Sequence, residues 1–306
     1  MNSLKNRSLV SINDFSKEEQ LLILDQAAEF EKNPRQPLLN GYVIASLFFE
    51  PSTRTRLSFE SAISMLGGRI IGFSEAGTSS VSKGESLRDT IRTVNNYCDL
   101  IIMRHPIDGS ARFASEVSRV PVVNAGDGAN QHPTQTLLDM YTIRQTQKRL
   151  ENLKIGFVGD LKYGRTVHSL LMAMANFNCE FAFVSPRFLA IPQQNKDKVN
   201  DLGLNYSEHN NIGEVINDVD ILYMTRIQRE RFSDPAEYEK VKNFYELKLS
   251  DLENAKPGMK VLHPLPRVNE INIEVDQTEK AYYFEQALNG VYVRQAIISM
   301  ILGVVS

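Results

Sequence analysis

Two cysteines, Cys98 and Cys179, are the only thiols in this 306-residue chain. They are too few and too far apart for a disulfide framework or a thiolate metal site, so both read as reduced core residues. A surplus of positive charge is missing too: the formal net charge is −3 and no Lys/Arg block compensates locally. There is thus no electrostatic footprint for nucleic acid, and small molecules are the expected partners. No apolar run is long enough to span a bilayer; the longest near the C-terminus is Ala296 to Val305. Met1 to Phe15 alternates polar and apolar residues without the apolar core of a leader. A cytoplasmic protein without membrane contact is the expectation. Internal repeats, low-complexity tracts and coiled-coil heptads are also absent.

What is present is a composition of 42% hydrophobic and 23% charged residues, over a length that accommodates two ordinary cores. Short apolar runs alternate with helical patterns from end to end, which predicts an α/β protein of two doubly wound domains with mainly parallel sheets. The runs at 42–49, 69–73, 99–103, 121–124, 154–158, 180–184, 219–224, 259–262 and 281–284 read as strands. Leu137, Leu138, Tyr141 and Ile143 suggest a helix linking the domains, with the polar stretch Gln145 to Asn152 behind it. The expected division is 1–134 plus 287–306 for the first domain and 135–286 for the second. Val293, Ala296, Ile297, Met300 and Ile301 keep helical spacing, so a final helix closes the chain.

The most informative segment is Ser52-Thr53-Arg54-Thr55-Arg56, set between the apolar run Tyr42 to Phe49 and a helical pattern of Phe59, Ala62, Ile63 and Leu66. Ser52 is a candidate N-cap, with the free N–H groups of a first helical turn beside hydroxyls and guanidiniums. Such donors attract phosphate or carboxylate, and the planar fork of Arg54 suits oxygen pairs. A polar cap followed by solvated arginines is the plainer reading, but this density of hydroxyls and arginines favours an anion site. Elsewhere Arg104 and Arg226 each follow an apolar strand, at the edge where open α/β sheets bind ligands. Arg165 opens a helical pattern after Gly159-Asp160. His132 precedes Pro133 at the start of the linking helix, where an imidazole tends to stay neutral and can donate to a carbonyl oxygen. Thr78 to Ser86, a hydroxyl-rich loop containing Lys83, reads alone as a surface loop.

Four arginines at strand ends or helix starts imply substrates with several negative charges, for which phosphate and carboxylates fit best. Gly159 to Thr166 approaches the phosphate loop GxxxxGK[ST], but Arg165 stands where the lysine belongs. That substitution, and the other motifs it leaves unexplained, disfavours a nucleotide switch. No Ser-His-Asp order, HExxH, metal-spaced His/Cys set or GxGxxG fingerprint accompanies the arginines. No metal or cofactor is expected, and the chemistry must rest on positioning and polarisation.

FFEPSTRTRLSFE (48–60), the Ser79 to Glu85 loop, MRHP (103–106), NQHPTQTLLD (130–139), GDLKYGRTVHSL (159–170), YMTRIQRER (223–231) and HPLPR (263–267) together resemble the catalytic chains of the aspartate carbamoyltransferase family. The match runs in order over nearly the whole chain. HPLPR and the RxQxER segment separate it from the related ornithine enzymes, which typically carry an HCLP turn; a carbamoyltransferase for ornithine or an acylated ornithine is the alternative. The resemblance implies transfer of a carbamoyl group from carbamoyl phosphate to L-aspartate, in pyrimidine synthesis, with carbamoyl phosphate binding first. It implies that Ser52, Thr53, Arg54, Thr55 and Arg104 hold the phosphate. Thr55, Arg104 and His132 would face the carbamoyl oxygen and Gln135 its NH₂ group. Arg165, Arg226 and Gln228 would hold the aspartate carboxylates, and the carbonyls of Leu265 and Pro266 would take amine or carbamoyl hydrogens. Ser79 and Lys83 would enter a neighbouring chain's site, which implies a homotrimer, and a regulatory chain is a further possible partner. Glu50 would bridge the domains to Arg165 and Arg231 as segment 229–242 closes.

Overall fold

A computed structural model describes residues 4–75, 77, 80–227, 238 and 245–305. The chain divides into two compact units, Met1–Tyr141 with Ala287–Ser306, and Thr142–Gln286. The division on the N-terminal side lies inside helix α5 (Pro133–Gln147), at Tyr141, and not at its first residues as 134/135 anticipated.

In the first unit β1 (Val43–Phe48), β2 (Arg69–Phe73), β3 (Leu100–His105) and β4 (Val122–Asp127) form a parallel sheet in the order β2-β1-β3-β4. Ala45 pairs with Ile71 on one side and Ile101 on the other, and Ile102 pairs with Val123. Ile44, Ala45, Leu47 and Phe48 are all buried, as a parallel strand covered on both faces requires. The covering helices are α1 (Lys17–Lys32), α2 (Thr53–Met65), α3 (Leu87–Val94) and α4 (Ser110–Val117), with α5 and the last helix, α8 (Tyr283–Leu302). α2 buries Phe59, Ala62 and Ile63, and Gly67 at φ 79° takes the left-handed conformation that ends it. α8 buries Val293, Ala296, Ile297 and Ile301 in this unit.

The second unit holds β5 (Lys154–Val158), β6 (Glu180–Val184), β7 (Tyr206–His209), β8 (Ile221–Met224) and β9 (Lys260–Leu262), all parallel, in the order β7-β6-β5-β8-β9. Phe157 of β5 lies 6.2 Å from the ring of Phe181 and 5.7 Å from that of Tyr223, tying three neighbouring strands. Helices α6 (Arg165–Ala175) and α7 (Gln193–Asp201) follow β5 and β6.

Two strand expectations are corrected. Tyr206–His209 is a strand that the sequence pattern concealed, because an edge strand with half-exposed faces needs no apolar run. Residues 281–284 are not a strand: Ala281 makes one isolated bridge to Val261, and Tyr283 already opens α8. The aromatic run there is the first turn of a long helix, a choice that periodicity over four residues cannot make. Since every strand in each sheet runs the same way, the loops that follow them gather at one edge, where open α/β sheets bind ligands.

Candidate active site

Ser52 has the extended backbone of an N-cap, at φ −156° and ψ 101°, but among the described residues its hydroxyl makes no capping hydrogen bond. Other cap serines behave differently. Ser11, Ser16 and Ser86 each accept a backbone N–H from the turn they start, those of Asn13, Glu19 and Asp89. A helix start that leaves its cap open keeps its first N–H groups and its hydroxyl available to another acceptor. Thr53 and Arg54 are exposed beside it, while Thr55 is buried.

Arg104 sits near the end of β3, paired in register with Phe48 of β1, so its side chain comes out next to the same turn. Its Nη2 is 2.7 Å from Glu50 Oε1 and its Nη1 donates to the Ala125 carbonyl at 3.3 Å. Its Nε is buried without a hydrogen-bond partner among the described residues. Burial pushes the Arg104 pKa below the ordinary arginine value, and the Glu50 charge opposes that shift. A second anion arriving here would compete with Glu50 for the guanidinium.

His132 is 5% exposed. Its carbonyl accepts the N–H groups of Gln135 and Thr136, which seats the residue at the head of α5. Its Nε2 lies 3.4 Å from Thr55 Oγ1 and its Nδ1 3.5 Å from Thr134 Oγ1, distances too long for strong hydrogen bonds. The Gln135 amide donates to Asp139 Oδ1 at 2.9 Å. The loop carrying His132 is fastened by Asp127, a residue that sequence reasoning passed over. Its buried carboxylate accepts from Gly109 N and Asn124 Nδ2 at 2.9 Å, and from Asn130 Nδ2 and Gln131 N at 3.2 Å. The signal that could have found it is an acid at a strand end inside a Gly-Asp-Gly sequence.

In the second unit Arg165 is the first residue of α6 and Arg226 lies just past β8, so they leave neighbouring strands, β5 and β8, at the same edge. β9, next to β8, ends three residues before Leu265. Gly159 takes φ 116°, and a Cβ on it would stand 2.2 Å from the Thr225 carbonyl oxygen. The close approach of the Thr225 backbone by itself therefore requires glycine here. Leu265 and Pro266 form a turn with a cis peptide bond, and Leu265 is left-handed at φ 56°. Beneath them His263 and Glu270 are buried, with His263 Nε2 2.7 Å from Glu270 Oε1. Arg267 is bound by the carboxylate of Asp276 and the hydroxyl of Tyr283.

Lys83 is exposed at the end of a short 3₁₀ turn, Ser80–Lys83, in the loop before α3. Ser79, Gln228 and Arg231 lie outside the described residues, as does nearly all of the 229–242 segment. Among the described residues no group of three or more His, Cys, Asp or Glu side chains is placed to hold a metal ion, and no helix is long and apolar enough to cross a membrane.

Fold and site together define an α/β protein of two units, each bringing arginines to the C-terminal edge of a parallel sheet. It belongs to the aspartate/ornithine carbamoyltransferase family: the model of that family's carbamoyl-P binding domain matches residues 7–145, and that of its Asp/Orn binding domain matches 151–301. The aspartate carbamoyltransferase catalytic subunit of Parabacteroides distasonis is 59% identical over 302 residues, 98% of this chain and 99% of the relative. That of Chromobacterium violaceum is 55% identical over 296 residues, 97% and 98% of the two chains. Among solved structures, the catalytic subunit of M. jannaschii aspartate transcarbamoylase superposes with a TM-score of 0.91 at 49% identity, over 97% of this chain and 98% of that one. Aspartate transcarbamoylase from Trypanosoma cruzi in complex with carbamoyl phosphate and aspartate superposes with a TM-score of 0.93 at 36% identity, over 98% of each chain.

Proposed function

We propose that this chain transfers the carbamoyl group of carbamoyl phosphate to the amine of L-aspartate, giving N-carbamoyl-L-aspartate and phosphate. The observation that carries this is the full-length likeness, at a TM-score of 0.93, to a transcarbamoylase holding both carbamoyl phosphate and aspartate. The ornithine alternative is not favoured, since the curated relatives compared above are aspartate enzymes.

Each step uses groups named above. The phosphate sits on the open start of α2, held by the hydroxyls of Ser52, Thr53 and Thr55 and by Arg54, with Arg104 as a further cation. Its arrival draws Arg104 away from Glu50, which frees that carboxylate for the bridge to Arg165 and Arg231. Thr55, Arg104 and His132 point donors at the carbamoyl oxygen, and Gln135 takes the carbamoyl NH₂. Arg165, Arg226 and Gln228 hold the two carboxylates of aspartate. The Leu265 and Pro266 carbonyls accept hydrogens from the amine. The neutral amine attacks the carbamoyl carbon, the C–N bond forms, and the negative charge on the oxygen is met by preorganised donors. The C–O bond to phosphate then breaks, and a phosphate oxygen takes the amine proton. No strong protein base is required.

Lys83, exposed at its loop, reaches with Ser79 into the site of a neighbouring chain. This makes the working unit a homotrimer. Leu57 and Ile71, large apolar residues 48% and 37% exposed in the first unit, offer surface for such a contact. A cytoplasmic location and a place in pyrimidine synthesis belong to the same reading, and a regulatory chain remains a further partner to seek.

The test is phosphate release from carbamoyl phosphate with L-aspartate or L-ornithine as acceptor. Turnover with aspartate alone is expected; turnover with ornithine alone overturns the assignment. Mixing R54A and K83A chains, each strongly impaired by itself, tests the shared site, because hybrid trimers regain activity and separate sites do not.

A further inference from the structure

The turn after β9 is held from below by a hydrogen-bonded relay whose direction can be assigned. The Leu265 N–H lies 2.7 Å from His263 Nδ1. A backbone N–H can only donate, so Nδ1 carries the lone pair and the ring proton of a neutral imidazole sits on Nε2. That proton points at Glu270 Oε1, 2.7 Å away. The second Glu270 oxygen accepts the N–H groups of Val268 and Asn269 at 3.0 and 3.1 Å. His263 is itself fixed at its root, since its N–H donates to Gln286 Oε1 at 2.8 Å.

His263 is 2% exposed and Glu270 6%, so solvent does not replace these partners. Burial pushes the Glu270 carboxyl up, but the His263 hydrogen bond and the backbone donors outweigh it, and the group stays below the usual glutamate value. The relay ends on Leu265, a residue with a Cβ in the left-handed region, which persists only where its surroundings hold it.

We infer that Glu270 is a positioning residue: acting through His263, it sets the imidazole tautomer that holds Leu265, and so aims the Leu265 and Pro266 carbonyls at the aspartate amine. This rests on the reading that those carbonyls bind aspartate. It adds a residue that touches no substrate, and it separates the two substrates, because the relay lies wholly in the second unit and carbamoyl phosphate is assigned to the first.

The experiment combines nitrogen NMR of histidine-labelled wild-type protein with steady-state kinetics of E270Q, H263N, H263L and R226A. The His263 resonances are expected to report a bare Nδ1 and a protonated Nε2; the opposite tautomer overturns the inference without any variant. In E270Q the amide cannot serve both the imidazole N–H and the backbone donors, so the KM for aspartate is expected to rise about tenfold. H263N places an oxygen near the position of Nδ1 and keeps the bond to Leu265, so a rise of about threefold is expected, against about thirtyfold in H263L. In all three the KM for carbamoyl phosphate is expected to stay within about twofold. If both KM values move together in E270Q and H263N, or neither moves, while R226A raises the aspartate KM, Glu270 serves stability alone and the inference is wrong. If R226A also leaves the aspartate KM unmoved, the reading of the aspartate site fails, and the inference falls with it.

Discussion

The turn from β1 into α2 and the turn from β5 into α6 start helices at equivalent edges of their sheets, but they are built from different residues. The first has Ser52 as N-cap, with Thr53, Arg54 and Thr55 behind it; the second has Gly164, with Arg165 behind it. Neither makes a side-chain capping bond among the described residues, whereas Ser16 closes a full capping box with Glu19 at the start of α1. Forgoing a cap costs a helix about 1 kcal/mol. In α2 the burial of Phe59, Ala62 and Ile63 offsets that loss, so the start of the helix is released from a structural duty. A hydroxyl-rich start offers several short donors and suits a compact, highly charged phosphate. A glycine-bounded start with one arginine suits a carboxylate, which two parallel N–H groups satisfy.

This contrast can be broken in four places. The largest effect is expected for R54A, which removes a cation from the proposed phosphate site: kcat/KM should fall by about 10²- to 10³-fold in the phosphate-release assay. A variant within a few-fold of wild type would show that α2 begins no phosphate site. Next comes G159A, whose new Cβ meets the Thr225 carbonyl at 2.2 Å. A loss of about 2–4 kcal/mol in denaturant unfolding is expected. Unchanged stability would mean that β5 and β8 can separate, and that the glycine is there for a ligand after all.

S52A and S16A form a reciprocal pair. S52A should raise the KM for carbamoyl phosphate several-fold and leave the unfolding midpoint unmoved, while S16A should cost about 1 kcal/mol and leave KM alone. Equal losses of stability would show that Ser52 caps its helix in solution. The smallest effect concerns His168 of α6, whose imidazole lies 2.7 Å from the Leu161 carbonyl. Burial pushes its pKa below the ordinary 6.5, against the opposing effect of that carbonyl. The folded state therefore favours the neutral ring. This contribution is complete above pH 6.5 and is lost as pH falls below it, because the unfolded chain binds the proton first. The Tm of wild type should thus drop by about 2 °C more than that of H168Q between pH 7 and pH 5. Parallel curves would remove His168 from the acid response.

Much of this was legible in the residues because parallel sheets write themselves as apolar runs and helix starts as polar punctuation. Ser52 could be placed at a cap from its neighbours alone. That its hydroxyl stays off the cap could not, since the choice depends on side-chain geometry. The Gly159 to Thr166 stretch misled in a useful way: its spacing approaches a phosphate loop, but the first glycine answers to the Thr225 backbone just past β8, some sixty residues later in the chain. β7 was hidden because its half-exposed edge position demands no apolar run. Asp127 and Glu270 were hidden for a different reason. They act through backbone N–H groups and another side chain, contacts that exist only after the chain has folded, and no residue pattern announces them.

The return of the chain into its first unit has a consequence for synthesis. Unit two is continuous, from Thr142 to Gln286, whereas unit one needs Ala287 onward, including the buried Val293, Ala296, Ile297 and Ile301 of α8. Asn6 donates to the Ile301 carbonyl, and Gln295 donates to that of Pro34, so the earliest residues wait for the last. On the ribosome the order of folding is therefore inverted: the part translated second can be finished first. The first unit matures only when its final helix emerges, and a chain stalled before that point holds an intact second unit and an open first core.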